Sequence, residues 1–100
     1  MKIGCVKEVK NNEYRVGLVP ATVDAYISAG HEVYIEKGAG LGSSIRDEDY
    51  LASGAKILES AEDVWDKAEM IVKVKEPLSS EYKFMKEGQS FIVLIQERRD

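Results

Sequence analysis

The strongest constraint on this chain is that short apolar runs alternate with helical ones throughout its 100 residues. Lys2–Val6 reads as a buried strand. From Pro20 to Ala29 the apolar residues Val19, Val23, Tyr26 and Ile27 recur at helical spacing. His31–Glu36 alternates, Val33 and Ile35 pointing one way and Glu32, Tyr34 and Glu36 the other, which is a strand pattern. Asp47–Ser53 reads as a short helix and Ala55–Leu58 as a strand. Ala61, Val64, Trp65 and Ala68 then share one helix face, with Trp65 as its core anchor. Glu69–Lys75 is a further strand, a last helix carries Tyr82, Phe84 and Met85, and Phe91–Ile95 is a fifth strand.

Strands that alternate with helices of a few turns form parallel βαβ units with right-handed crossovers. The pattern predicts one α/β domain over residues 1–100: a three-layer, flavodoxin-like (Rossmann-like) parallel sheet of about five strands with helices on both faces. Val33, Ile35, Met70, Val72, Val74, Val93 and Trp65 are predicted to be buried.

The helix ends carry signals of uneven quality. Pro20 at the first helical position and Gly30 just past the end follow the usual asymmetry, yet Val19 is a poor N-cap. Ser44 or Asp47 is predicted to cap the second helix and Gly54 to close it. Ser60 with Asp63 resembles a capping box in which Asp replaces the usual Glu. Ser79 or Ser80 is predicted to cap the last helix.

Composition narrows the function classes. The net charge of −4 and the scattered basic residues argue against nucleic acid. No stretch approaches the roughly 20 apolar residues that span a bilayer, and Lys7 interrupts an opening apolar run too short for a signal peptide. The single Cys5 cannot form an internal disulfide, which fits a reducing cytoplasm, and its surroundings suit a small buried hydrophobe.

Candidate chemistry gathers in two stretches. The polar loop Asn11–Arg15 runs directly into the apolar Val16–Val19, so Arg15 sits where a solvated loop enters the core. A guanidinium there offers a planar fork of donors for a carboxylate or phosphate. In the 69–75 strand Lys73 and Lys75 share a face, with Lys75 at the carboxyl end before Glu76-Pro77. Open parallel sheets bind ligands outside those ends. Gly38-Ala39-Gly40-Leu41-Gly42-Ser43 invites a dinucleotide reading, but the third glycine is replaced by Ser43 and no helix starts at the loop, so a structural loop is favoured. His31 is the only histidine and has no partner spaced to work with it, so a surface role is expected.

Lys-Glu-Val-Lys-Asn-Asn-Glu-Tyr-Arg-Val (7–16) resembles the opening of bacterial alanine dehydrogenases. The resemblance continues through Leu-Val-Pro-Ala-Thr-Val (18–23), Ala-Gly-His-Glu-Val (29–33), Glu-Lys-Gly-Ala-Gly (36–40), Asp-Glu-Asp-Tyr (47–50) and Val-Lys-Val-Lys-Glu-Pro (72–77). Parts of it recur in proton-translocating nicotinamide nucleotide transhydrogenases, whereas the Asn-Asn-Glu-Tyr-Arg form is similar to the dehydrogenases.

The resemblance implies an enzyme that interconverts L-alanine with pyruvate and ammonia using NAD, with its substrate between two domains. It implies that Arg15 holds the substrate carboxylate and Lys75 contacts its carbonyl oxygen. It also implies a catalytic histidine at the position of Gln96, and an amide there cannot shuttle a proton.

The likeness stops abruptly over Ile92–Asp100, and the family's nucleotide-binding domain is expected to be absent. The expectation is a truncated or frame-shifted N-terminal domain that does not bind NAD by itself, forms a homo-oligomer or works with a separate nucleotide-binding chain, and is inactive alone. A transhydrogenase fragment and a non-catalytic small-carboxylate or interaction module are the alternatives.

Overall fold

The computed structural model describes residues 1–9, 14–75 and 77–94. Five strands form one sheet: β1 (Lys2–Cys5), β2 (Glu32–Glu36), β3 (Lys56–Leu58), β4 (Met70–Lys73) and β5 (Ser90–Val93). Their order is β3-β2-β1-β4-β5, and every neighbouring pair is parallel. This is the 3-2-1-4-5 arrangement of the Rossmann half, in which the chain reverses its direction of growth between β1 and β4.

The predicted α/β class, the parallel sheet and the helices on both faces are all present. α1 (Pro20–Ser28) and α2 (Asp47–Ala52) cover one face, where Val23 and Tyr50 join Ile3, Cys5, Val33, Ile35 and Val72. α3 (Ala61–Lys67) covers the other, where Val64 and Trp65 meet Val6 and Ile71. Alternation along β1 explains both layers: Ile3 and Cys5 turn to one face, Gly4 to the other. Gly4 must lack a side chain because a Cβ there would lie 2.7 Å from Ala68 Cβ.

Several local expectations need correction. α2 is preceded by Arg46, and neither Ser44 nor Asp47 caps it. Asp49 reaches back to accept the Arg46 N–H at 2.9 Å, while Asp47 accepts the Gly38 N–H at 2.9 Å and so secures the glycine loop. The last helix is a 3-10 segment, Ser79–Phe84, entered from Leu78, whose N–H is accepted by Glu81 at 3.0 Å. Ser60 does accept the Asp63 N–H, at 3.2 Å, and Val19 does precede α1 without a side-chain cap.

Trp65, Val33, Ile35, Val72 and Val74 are buried as expected. Met70 and Val93 are only half-buried. β5 is an edge strand of the sheet, which leaves Val93 less covered. Ile95 and Gln96 lie outside the described residues. Among the described residues no helix is long and apolar enough to cross a membrane.

Candidate functional site

The reversal of strand order puts a crevice outside the carboxyl ends of β1 and β4, the place where open α/β sheets bind ligands. Three charged side chains pack into the floor of this edge. Lys73, the last residue of β4, is buried with Nζ 3.3 Å from Glu8 Oε1 and 3.2 Å from Glu81 Oε2. Glu8 follows β1 by three residues and is equally enclosed. Its Oε2 accepts the Val74 N–H at 3.0 Å, and its Oε1 accepts the Lys75 N–H at a longer 3.4 Å. A buried ammonium needs such partners, because an unpaired charge is very costly away from water.

Lys73 and Lys75 therefore do not share a strand face, contrary to the sequence expectation. β4 ends at Lys73, and its alternation does not extend to Lys75. Lys73 serves the interior, while Lys75 is half-buried in the bend just beyond.

Arg15 reaches the same edge by a different route. The chain at Gly17 crosses β4 so closely that a Cβ would lie 2.4 Å from the Val72 carbonyl oxygen. Leu18 is buried next, and its carbonyl accepts the Tyr50 hydroxyl at 2.7 Å. Burial raises the pKa of that phenol, so it stays protonated and keeps donating. Arg15, two residues before this crossing, is exposed. Arg15 thus precedes by two residues a crossing at the Val72–Lys73 end of β4, and Lys75 follows that end by two.

The glycine loop braces this arrangement. Ser43 Oγ donates to the Tyr14 carbonyl at 2.7 Å, and a Cβ on Gly42 would lie 2.9 Å from the same oxygen. A Cβ on Gly40 would meet Ile45 at 2.8 Å. The segment that follows is a three-residue 3-10 turn, Leu41–Ser43, not an α-helix. These glycines allow close internal packing next to Arg15, which agrees with the structural reading of the loop.

A cavity of about 270 Å³ opens here, lined by Lys7, Glu8, Tyr14, Ala39, Leu41 and Gly42. The Lys7 N–H is accepted by Glu36 Oε1 at 2.8 Å, and burial holds the Glu36 carboxyl above its ordinary value. Cys5, beneath, is fully buried, and burial pushes its thiol up to about 12. It is an inert core residue. His31 lies just before β2, in an edge contact with Tyr26.

Sequence reasoning missed Glu8 and Glu81. A signal was present: a lysine inside a parallel strand that is covered on both faces requires buried acids nearby. The described residues contain no cluster of metal-ligating side chains.

The fold is an open α/β domain of the Rossmann type, with a switch point between β1 and β4. The chain belongs to the alanine dehydrogenase/PNT N-terminal domain family, whose model matches residues 4–99. It is 64% identical over 89 residues to the alanine dehydrogenase of Methanococcus maripaludis, covering 89% of this chain and 24% of that protein. Against the alanine dehydrogenase of Staphylococcus haemolyticus it is 57% identical over 88 residues, covering 88% of this chain and 23% of the relative. A solved L-alanine dehydrogenase superposes with a TM-score of 0.88 at 49% identity, over 91% of this chain and 25% of that one. A transhydrogenase from Sinorhizobium meliloti superposes with a TM-score of 0.87 at 34% identity, over 95% and 28% respectively. The chain thus spans about a quarter of the length of the proteins it matches.

Proposed function

We propose that these residues form the substrate-side part of an NAD-dependent alanine dehydrogenase, which interconverts L-alanine with pyruvate and ammonia. The observation that supports this reading is that Gly17, two residues after Arg15, packs on the Val72–Lys73 end of β4, two residues before Lys75, in a chain so similar to alanine dehydrogenases. In this reading the Arg15 guanidinium pairs with both oxygens of the substrate carboxylate. The Lys75 ammonium donates to the carbonyl oxygen and draws electron density from the carbon to be reduced.

NAD is the cofactor of this chemistry in the family, and it supplies or takes the hydride. The described residues do not fit a dinucleotide. Gly40 and Gly42 of the 38–43 loop face Ile45, Tyr50 and Tyr14, and no α-helix begins there to direct amides at a pyrophosphate. The nucleotide is therefore assigned to residues outside those described, in a further domain or a partner chain of a cytoplasmic assembly.

Calorimetric titration with pyruvate tests the assignment. The chain should bind it, and Arg15→Ala and Lys75→Ala should each weaken binding about tenfold or more, the scale of a lost charge-assisted contact. Binding unaffected by Arg15→Ala would remove the arginine from the site. The transhydrogenase likeness, at a nearly equal TM-score, supports a second reading as part of such an enzyme, for which pyruvate binding is not expected.

A further inference from the structure

We propose that Glu8 is a positioning residue for the ligand crevice. Its carboxylate holds the Val74–Lys75 bend in place, and Lys73 is its counter-charge rather than a ligand group. The proposal rests on the assignment of Lys75 to the substrate.

The geometry separates Glu8 from its neighbours. Each oxygen of the carboxylate has a different task. Oε2 accepts the Val74 amide at 3.0 Å, and Oε1 lies between the Lys73 ammonium at 3.3 Å and the Lys75 amide at 3.4 Å. The β1–β4 backbone pairing covers only Ile3 with Met70 and Gly4 with Ile71. Beyond it the two strand ends are joined at this point by a side chain, with Glu8 taking the place of a further rung. Glu81 also pairs with Lys73, but its other oxygen takes the Leu78 amide and it bonds neither Val74 nor Lys75.

The three charges sum to one net negative beneath a crevice proposed to take a carboxylate. That sign opposes direct anion binding by the cluster. It fits a support that orients Lys75 from below and leaves the attraction to Arg15 and Lys75. Lys73, enclosed to 1% exposure, is held by two carboxylates within 3.3 Å and has no route to the ligand.

The two acids provide a matched pair of variants. Glu8→Gln leaves a neutral Lys73–Glu81 pair, and Glu81→Gln leaves a neutral Lys73–Glu8 pair, so both are expected to fold. A merely structural role would make the two equivalent. The positioning role makes them differ: Glu8→Gln should weaken pyruvate binding about tenfold, whereas Glu81→Gln should stay within about threefold of the parent. Amide hydrogen exchange at Val74 and Lys75, read by NMR without ligand, should quicken in Glu8→Gln alone.

Equal losses of affinity in the two variants would overturn the proposal. So would unchanged exchange at Val74 and Lys75 in Glu8→Gln. If the parent chain fails to bind pyruvate, the substrate assignment falls, and the exchange comparison still decides whether Glu8 holds the bend.

Discussion

Gly17 lies against the carbonyl of Val72 with no room for a methyl group, since a Cβ there would approach the oxygen to 2.4 Å. This crossing brings the Arg15 loop onto the end of β4. The contact is with backbone, which cannot swing aside as the tip of a flexible side chain can. Gly17→Ala should therefore destabilise the domain by about 1–3 kcal/mol, the usual range for overpacking. Urea denaturation measures it. A stability equal to the parent's would show that the crossing is looser than described.

Tyr50 and Leu18 form the second fastening of the same loop. The Tyr50 hydroxyl is buried and donates to the Leu18 carbonyl at 2.7 Å. Tyr50→Phe keeps the ring and strands the carbonyl without this donor. The expected cost is about 1–3 kcal/mol, the penalty for a buried polar group left unsatisfied. The midpoint of urea unfolding should fall with an unchanged slope. No change in the midpoint would mean that the Leu18 carbonyl finds another donor.

Glu36 gives the domain a pH signature. Burial raises its carboxyl above the ordinary value of 4.5, and the charge of Glu81 adds to the rise. The Lys7 amide and the charges of Lys7 and Lys73 oppose it. A raised folded-state pKa means that the folded chain holds this proton more tightly than the unfolded one. The stability so gained is complete below the ordinary value and is lost as pH rises through the folded value. Glu36→Gln retains an acceptor for the Lys7 N–H without the buried charge. It should raise Tm at pH 7, with the advantage shrinking as pH falls through the raised folded value and gone below the ordinary one. A variant less stable than the parent at pH 7 would contradict this.

The layered sheet is legible in the sequence because its strands and helices differ in period, and because Pro20, Gly30, Gly54 and Ser60 mark helix ends by local chemistry. Arg15 and Lys75 are legible as candidates from their positions at loop and strand ends. The burial of Lys73 is not. Alternation counts Lys73 and Lys75 as equals, whereas β4 stops between them and the first is enclosed by two acids that lie outside the strand. The 3-10 form of Ser79–Phe84 is likewise hidden, since helical spacing over one or two turns does not separate 3-10 from α geometry. The cap of α2 escapes local reasoning because Asp47 is recruited by Gly38, a tertiary contact that overrides local preference.

A small keto-carboxylate bound at the carboxyl edge of β1 and β4 is the core of the proposed function. Amide chemical-shift mapping during a pyruvate titration tests it most directly. Saturable shifts are expected at Arg15, Gly17, Val74 and Lys75, all lost in Arg15→Ala. Shifts confined instead to the cavity of about 340 Å³ between α3 and the 3-10 segment, lined by Asp63, Asp66, Lys83 and Lys86 among others, would contradict it, as would no saturable shift at all.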